Sequence, residues 1–197
     1  MKKAVLASGN AHKVHEIGII LRDFDITLET MKDAGFEGDI EENGTTFEEN
    51  SLIKAEAVMR AIGAEVTLAD DSGLEVDALN GAPGVYSARY AGEGCNYEDN
   101  NDKLLEALTD VPYEKRTATF VTVITYLTAS GEKIVARGEV KGHIGFERKG
   151  GNGFGYDPLF IVDDMDKTYA EMNDEEKSSL SHRAEALKIL KLELAKR

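Results

Sequence analysis

Residues 3–24, KAVLASGNAHKVHEIGIILRDF, run from a short apolar segment through one polar corner into a helical repeat. Lys3 to Ala7 is a buried-strand candidate. Behind it Val14, Ile17, Leu21 and Phe24 recur at helical spacing, with Asn10 placed to cap the first turn. A strand that feeds a helix within a few residues is the unit from which α/β chains are built.

The same alternation continues outward. TTFEENSLIKAEAVMRAIG (45–63) predicts a second helix: Thr45 and Glu48 have capping-box spacing, and Leu52, Ala55, Met59 and Ile62 line one side. AEVTLA (64–69) reads as a strand that ends at Asp70 and Asp71, and residues 96–109 read as a helix through Leu104, Leu105 and Leu108. TATFVTVITYL and KIVARGEVKGHI, joined by TASGE, predict an antiparallel hairpin. FIV (160–162) is one more strand candidate, and SSLSHRAEALKILKLELAK (178–196) a C-terminal helix. There is no repeat, no low-complexity tract, and only three prolines. Residues 80–95 and 145–158 have low propensity and suit loops that reach into a site.

With 197 residues, 42% of them hydrophobic, the chain suits one catalytic domain of two lobes. Its formal net charge of -14 repels polyanions over most of the surface, which disfavours a nucleic-acid polymer or an anionic membrane as partner. A small anion remains admissible where lysines and a divalent cation reverse the field. Cys95 is the single cysteine and has no internal disulfide partner, as in a reducing compartment. The apolar run Ala4 to Ala7 is far short of a signal-peptide core, and no later run could span a bilayer, so a cytoplasmic protein is expected.

Four stretches carry candidate chemistry. In SGNAHK, Ser8, Gly9, Asn10 and Lys13 sit where a helix start offers N–H groups, a close backbone approach and a full positive charge, a corner that suits a phosphate. A plain Asn-capped helix with a surface lysine has the same pattern. Glu42 and Lys54 flank the second helix start, and Asn50 and Lys54, four apart, share a face; turned toward the aspartates, Lys54 becomes their counter-charge. Asp70 and Asp71 offer the hard oxygens that Mg²⁺ takes, with Ser72 and Gly73 after them. Adjacent side chains of a strand face opposite ways, so a shared site calls for a turn there. In GGNGFGYDPLF (150–160), Phe154, Gly155, Tyr156 and Asp157 form a glycine-rich loop able to lay a ring on a flat base, and His182 and Arg183 can donate to carbonyl oxygens. Each of these also has a bland reading as a turn, a core plug or a solvated surface.

Taken together, SGNAHKVHEI, EENGTTFEENSLIKA, LADDSGLEVDALNGAPGVYSARYAG, GFGYDPLF and SHRAEALK closely resemble the inosine triphosphate pyrophosphatase family, from about residue 5 to about residue 190. Where that family usually has a small apolar residue after EEN, this chain has Ser51. The resemblance implies a homodimeric enzyme with a long mixed β-sheet flanked by helices and two lobes around a central substrate cleft. It further implies Mg²⁺-dependent hydrolysis of ITP, dITP or XTP at the α–β bond to monophosphate and pyrophosphate. By motif, Ser8, Asn10, Lys13 and Lys54 hold the phosphates, and Glu42, Asp70 and Asp71 the metal. Asp71 also activates water, Ser72 contacts substrate, and Phe154 to Asp157, Lys177, His182 and Arg183 surround the purine. A nucleotide-binding regulator that does not hydrolyse, and a Maf-like pyrophosphatase of pyrimidine or modified nucleotides, are the alternatives.

Overall fold

A computed structural model describes residues 2–21 and 26–196. The expected end of the first helix at Phe24 lies outside those residues. Among the described residues six strands form one mixed sheet: β1 (Lys2–Leu6), β2 (Ile26–Thr30), β3 (Val66–Val76), β4 (Thr117–Thr128), β5 (Lys133–Ile144) and β6 (Phe160–Val162), in the order β2-β1-β3-β4-β5-β6. β1 runs parallel to both β2 and β3, with Leu6 opposite Leu68, and β6 is antiparallel to β5. The helices are α1 (Ala11–Ile20), α2 (Phe47–Ile62), α3 (Tyr97–Ala107), α4 (Asp174–Leu180) and α5 (His182–Ala195). The α/β expectation therefore holds. Among the described residues no helix is long and apolar enough to cross a membrane.

The chain divides into two compact units. The first comprises residues up to Asp71, Thr122–Gly138 and His182 onward. Its strands alternate with period two and are buried on both faces. Ala4, Leu6, Val66 and Leu68 pack with Ile17 of α1 and Leu187 and Leu190 of α5. Val5, Ala7 and Ala69 pack on the other face with Ala55 and Val58 of α2.

The second unit comprises Ser72–Val121 and Glu139–Ser181. Leu74, Leu104, Leu108, Ile144 and Leu159 surround three mutually packed rings, Phe120, Phe160 and Tyr169, with centroids 4.7 to 5.5 Å apart. The buried Arg116 guanidinium donates to the carbonyls of Leu108 and Val111, just past the end of α3, and to that of Gly145 after β5.

Four expectations need correction. β3 does not stop at the aspartates but continues to Val76, because the apolar residues Leu74 and Val76 keep the alternation going in the second unit's core. The cap of α2 is Thr46, one residue later than expected; its side chain accepts from Glu49 N, while Glu49 Oε2 accepts from Thr45 N at 2.6 Å. The buried face of α2 is Phe47, Asn50, Ser51, Lys54, Ala55 and Val58, whereas Leu52, Met59 and Ile62 are only half-buried. Polar contacts, described below, rotate the helix away from its most apolar side. Residues 178–196 are not one helix: Ser181, buried and extended at ψ 160°, separates α4 from α5. β2 was not anticipated, although Ile26 and Leu28 show the period-two signal.

A Cβ on Gly138 of β5 would overlap His182 O and Ala186 N, so this glycine lets the start of α5 lie directly on the strand. Gly138→Ala is expected to cost about 1–3 kcal/mol in urea-induced unfolding through overpacking; unchanged stability would show that α5 does not need that close approach.

Candidate active site

Asp70 and Asp71 sit mid-strand in β3, and the alternation decides where each carboxylate goes. Asp70 follows Leu68 onto the face covered by α1 and α5, and Asp71 follows Ala69 onto the face covered by α2. Each meets its own cation. Lys13 Nζ of α1 lies 3.0 Å from Asp70 Oδ2, and Arg183 Nε of α5 lies 3.6 Å from the same oxygen. Lys54 Nζ of α2 lies 2.9 Å from Asp71 Oδ1 and 2.8 Å from Glu42 Oε2. The turn expected for a shared site is therefore absent; the helices on both faces supply the convergence instead.

Local sequence explains how these groups are held. Asn10 caps α1, its side chain accepting from His12 N and Lys13 N, so those two amides are already engaged and the Lys13 ammonium is what the corner presents. Ser8 Oγ accepts from Asn10 N at 3.3 Å, and Gly9 is exposed. Asn50 Oδ1 accepts from Gly44 N at 2.8 Å, fixing the loop that brings in Glu42. Arg183, only 2% exposed, also pairs with Glu16 Oε2 at 2.6 Å. Glu16 was not foreseen, although its spacing of three from Lys13 places both on one face of α1.

Ser51 was also missed as a site residue. Its hydroxyl donates to Ala69 O at 2.9 Å, accepts from Thr125 N at 3.1 Å and lies 2.9 Å from Thr125 Oγ1. A side-chain hydroxyl thus bridges β3 and β4 at the residue before the aspartates, and it ties α2, with Lys54, to that point. An alanine at this position would leave two buried backbone groups to find other partners.

The electrostatics separate the two aspartates. Burial acts to raise the Asp70 carboxyl, yet Lys13 and Arg183 beside it hold it down at about 2, below its ordinary 3.8. For Asp71 burial wins over Lys54 and Lys13, and its carboxyl lies above the ordinary value. Burial depresses the Lys13 ammonium despite Asp70, whereas Asp71, Asp70 and Glu42 outweigh burial at Lys54 and raise it. Asp70 thus stays ionised, and Asp71 is the carboxylate with the greater affinity for a proton.

Among the described residues four carboxylates here, Glu16, Glu42, Asp70 and Asp71, face three cations, Lys13, Lys54 and Arg183. Asp70 Oδ1 and Asp71 Oδ2 are buried and accept no hydrogen bond. Among the described residues no three Asp, Glu, His or Cys side chains are gathered as a ready metal group, since the Lys54 ammonium stands between Glu42 and Asp71. The donor chemistry nonetheless fits a hard divalent cation, which takes carboxylate oxygens of the orphaned kind.

In the second unit, Asp157 and Lys177 form a buried pair at 2.6 Å. Asp157 Oδ2 also accepts from Phe154 N at 2.8 Å, and Lys177 Nζ lies 5.1 Å from the Phe154 ring centroid, within cation–π range. Phe154, Gly155, Asp157 and Lys177 are thus brought together. Tyr156 points elsewhere: its ring is buried in the core and its hydroxyl donates to Ser87 O at 2.8 Å. Ser72 is half-buried at the start of this unit, and His182 is buried in the first unit at the start of α5.

The sequence profile of the Ham1 family matches residues 4–192. The chain belongs to the Ham1 family. It is 52% identical over 196 residues to a protein of Clostridium perfringens named dITP/XTP pyrophosphatase, covering 97% of this chain and 96% of that one. It is 48% identical over 195 residues to a protein of the same name from Thermoanaerobacter pseudethanolicus, covering 99% and 98%. The structure of the Staphylococcus aureus Ham1 protein superposes with a TM-score of 0.87 at 43% identity, covering 98% of each chain. Membership of the Ham1 family extends over both units, so the charged group around β3 and the loop around Phe154 lie within one matched sequence.

Asp70→Asn leaves Lys13 and Arg183 facing a neutral group and is expected to cost about 3–5 kcal/mol at pH 7, as when one partner of a buried pair is removed. The native carboxyl is depressed from 3.8 to about 2, so its contribution is complete above about pH 4 and is lost as the pH falls toward 2. Urea unfolding of both proteins from pH 7 down to 2 should show the gap between them narrowing by about 2 kcal/mol over that lowest interval; a gap independent of pH would refute the assignment.

Proposed function

We propose that this chain is a nucleoside-triphosphate pyrophosphatase that hydrolyses non-standard purine nucleoside triphosphates, ITP, dITP and XTP, to the monophosphate and pyrophosphate, removing them from the nucleotide pool. The observation that carries this reading is the Lys54 ammonium held between Glu42 and Asp71 beside the Lys13–Asp70 pair. It unites amine groups suited to a polyphosphate with a proton-accepting carboxylate. The relatives named dITP/XTP pyrophosphatase support the substrate class.

In this reading Lys13 and Lys54, with Ser8, Gly9 and Asn10, hold the phosphate tail, and Ser72 contacts the substrate. The ammonium groups neutralise charge that grows on the phosphoryl oxygens and on departing pyrophosphate. Asp71 takes the proton from the attacking water, a role for which a carboxyl raised above its ordinary value is better suited than Asp70. Water is a poor nucleophile at neutral pH, and a base within hydrogen-bond reach removes that obstacle.

Glu42, Asp70 and Asp71 would hold Mg²⁺, which when bound supplies charge compensation and orients water. Charge counting supports the need for it. Among the described residues these ion pairs set four carboxylates against three cations before any triphosphate arrives.

In this reading the purine lies with Phe154, Gly155, Asp157, Lys177, His182 and Arg183, while the Tyr156 side chain serves the core. Hypoxanthine and xanthine carry a 6-oxo acceptor where adenine carries an amino donor. Protein donors at that atom would be left unpaired by ATP, a mismatch that can reject an analogue by roughly 10⁴ to 10⁵. Both units serve one catalytic domain of two lobes, and the chain acts in the cytoplasm as a homodimer on a small-molecule nucleotide, without nucleic-acid or membrane partners.

The test is pyrophosphate release from dITP with Mg²⁺, with EDTA, and with Asp71→Asn. Wild type should turn over only with the metal. The variant should lose kcat by about 10³-fold or more while KM changes far less, as expected when an interaction made in the transition state is removed. Near wild-type turnover by Asp71→Asn would overturn the base assignment, and absence of pyrophosphate from the wild type would overturn the activity.

A further inference from the structure

We propose that Asn101 is a positioning residue for specificity, holding the Phe154–Asp157 loop in the shape that accepts a 6-oxopurine, with α3 as the template for that loop. This rests on the reading above that the loop holds the purine. Asn101 is fully buried, and its Nδ2 donates to Gly155 O at 2.9 Å, across 54 positions of sequence. Its Oδ1 is buried and accepts no hydrogen bond. Burying an amide with half of its capacity unused is unfavourable, and a leucine would serve packing better. What the asparagine adds is a donor aimed at one carbonyl of the loop.

The rest of α3 acts on the same segment. Tyr97, one turn earlier, sets its ring 5.9 Å from that of Phe154. Glu98 and Asp102 grip Arg148 at the other end, with Nε 2.9 Å from Glu98 Oε2 and Nη2 2.7 Å from Asp102 Oδ1. Residues 148–155 are therefore tied to one helix at both ends. Such ties matter because the segment has little shape of its own: Gly153 and Gly155 lie at φ +74° and +63°, a region where glycine is free to wander. Asp157 fixes Phe154 N, and Asn101 fixes the carbonyl of the next residue, so the peptide before Phe154 and the peptide after Gly155 are both held. α3 is itself anchored: Asn96 and Asp99 form a capping box, and Asn100 bonds Ala91 N and Ala88 O.

The experiment compares wild type, Asn101→Ala, Asn101→Asp and Arg148→Ala by hydrogen–deuterium exchange of the 149–157 segment and by kcat and KM for dITP and dATP. Both Asn101 variants should raise exchange of that segment about tenfold, with strands β1 and β3 unchanged. They should also lower the dITP-over-dATP ratio of kcat/KM about tenfold, chiefly through a higher KM for dITP. Arg148→Ala should move both readouts the same way by a smaller factor, and it decides the matter if the Asn101 variants do not fold. Unchanged exchange overturns the tether. Raised exchange with an unchanged ratio in an active enzyme overturns the specificity role. A wild type inactive on both nucleotides would sink the purine reading, while the exchange arm still reports on the tether.

Discussion

The structure of the first unit depends on one requirement: two adjacent buried carboxylates in β3 must be neutralised from both faces of the sheet. Taking an ion out of water costs several kcal/mol even after relaxation. Attraction across about 3 Å at an effective dielectric near 20 returns on the order of 5 kcal/mol. These two quantities roughly cancel, so the cluster is not retained for stability. It does constrain everything around it, because losing one cation would leave an uncompensated buried charge. Lys13, Lys54 and Arg183 must therefore arrive together from α1, α2 and α5, and the caps, the Ser51 bridge and the close seat at Gly138 serve that arrival.

This requirement explains why α2 departs from its hydrophobic pattern. A helix ordinarily buries its widest apolar stripe. Here the stripe through Leu52, Met59 and Ile62 is half-buried, and Asn50, Ser51 and Lys54 go inside. Each buried polar group has a partner: Gly44 N for Asn50, the β3–β4 backbone for Ser51, and two carboxylates for Lys54. Three polar side chains whose groups all find partners inside thus take the buried face in place of the more apolar stripe.

What could be read in advance follows the range of the interaction responsible. Asn10 and its helix were legible because capping is decided within three residues, and the hairpin β4–β5 because its signal is local alternation. The run of β3 past Asp71 was not, since DDSG looks like a terminator unless Leu74 and Val76 are known to enter a core. The break at Ser181 was likewise hidden, because helix propensity continues through it. Charged motif residues were recognisable individually, yet their partners were not: nothing local to Arg183 names Glu16, 167 positions away, or Asp70. Tyr156 shows the opposite error, a residue inside a functional motif whose side chain belongs to the core.

Each unit contains a buried lysine–aspartate contact, and the difference between them separates chemistry from architecture. Asp157 binds Lys177 and the Phe154 amide through the same oxygen, so its charge is spent on holding a loop. Asp71 binds Lys54 through one oxygen and keeps the other buried without a hydrogen bond, next to a further aspartate in the same condition. Asp157 Oδ2 serves to hold a loop, whereas Asp71 keeps a buried oxygen that accepts no hydrogen bond, a feature that suits a metal ion or a proton. The same sequence pattern, an acid and a lysine brought together from distant segments, therefore has two meanings, and the second is marked by a buried oxygen that accepts no hydrogen bond.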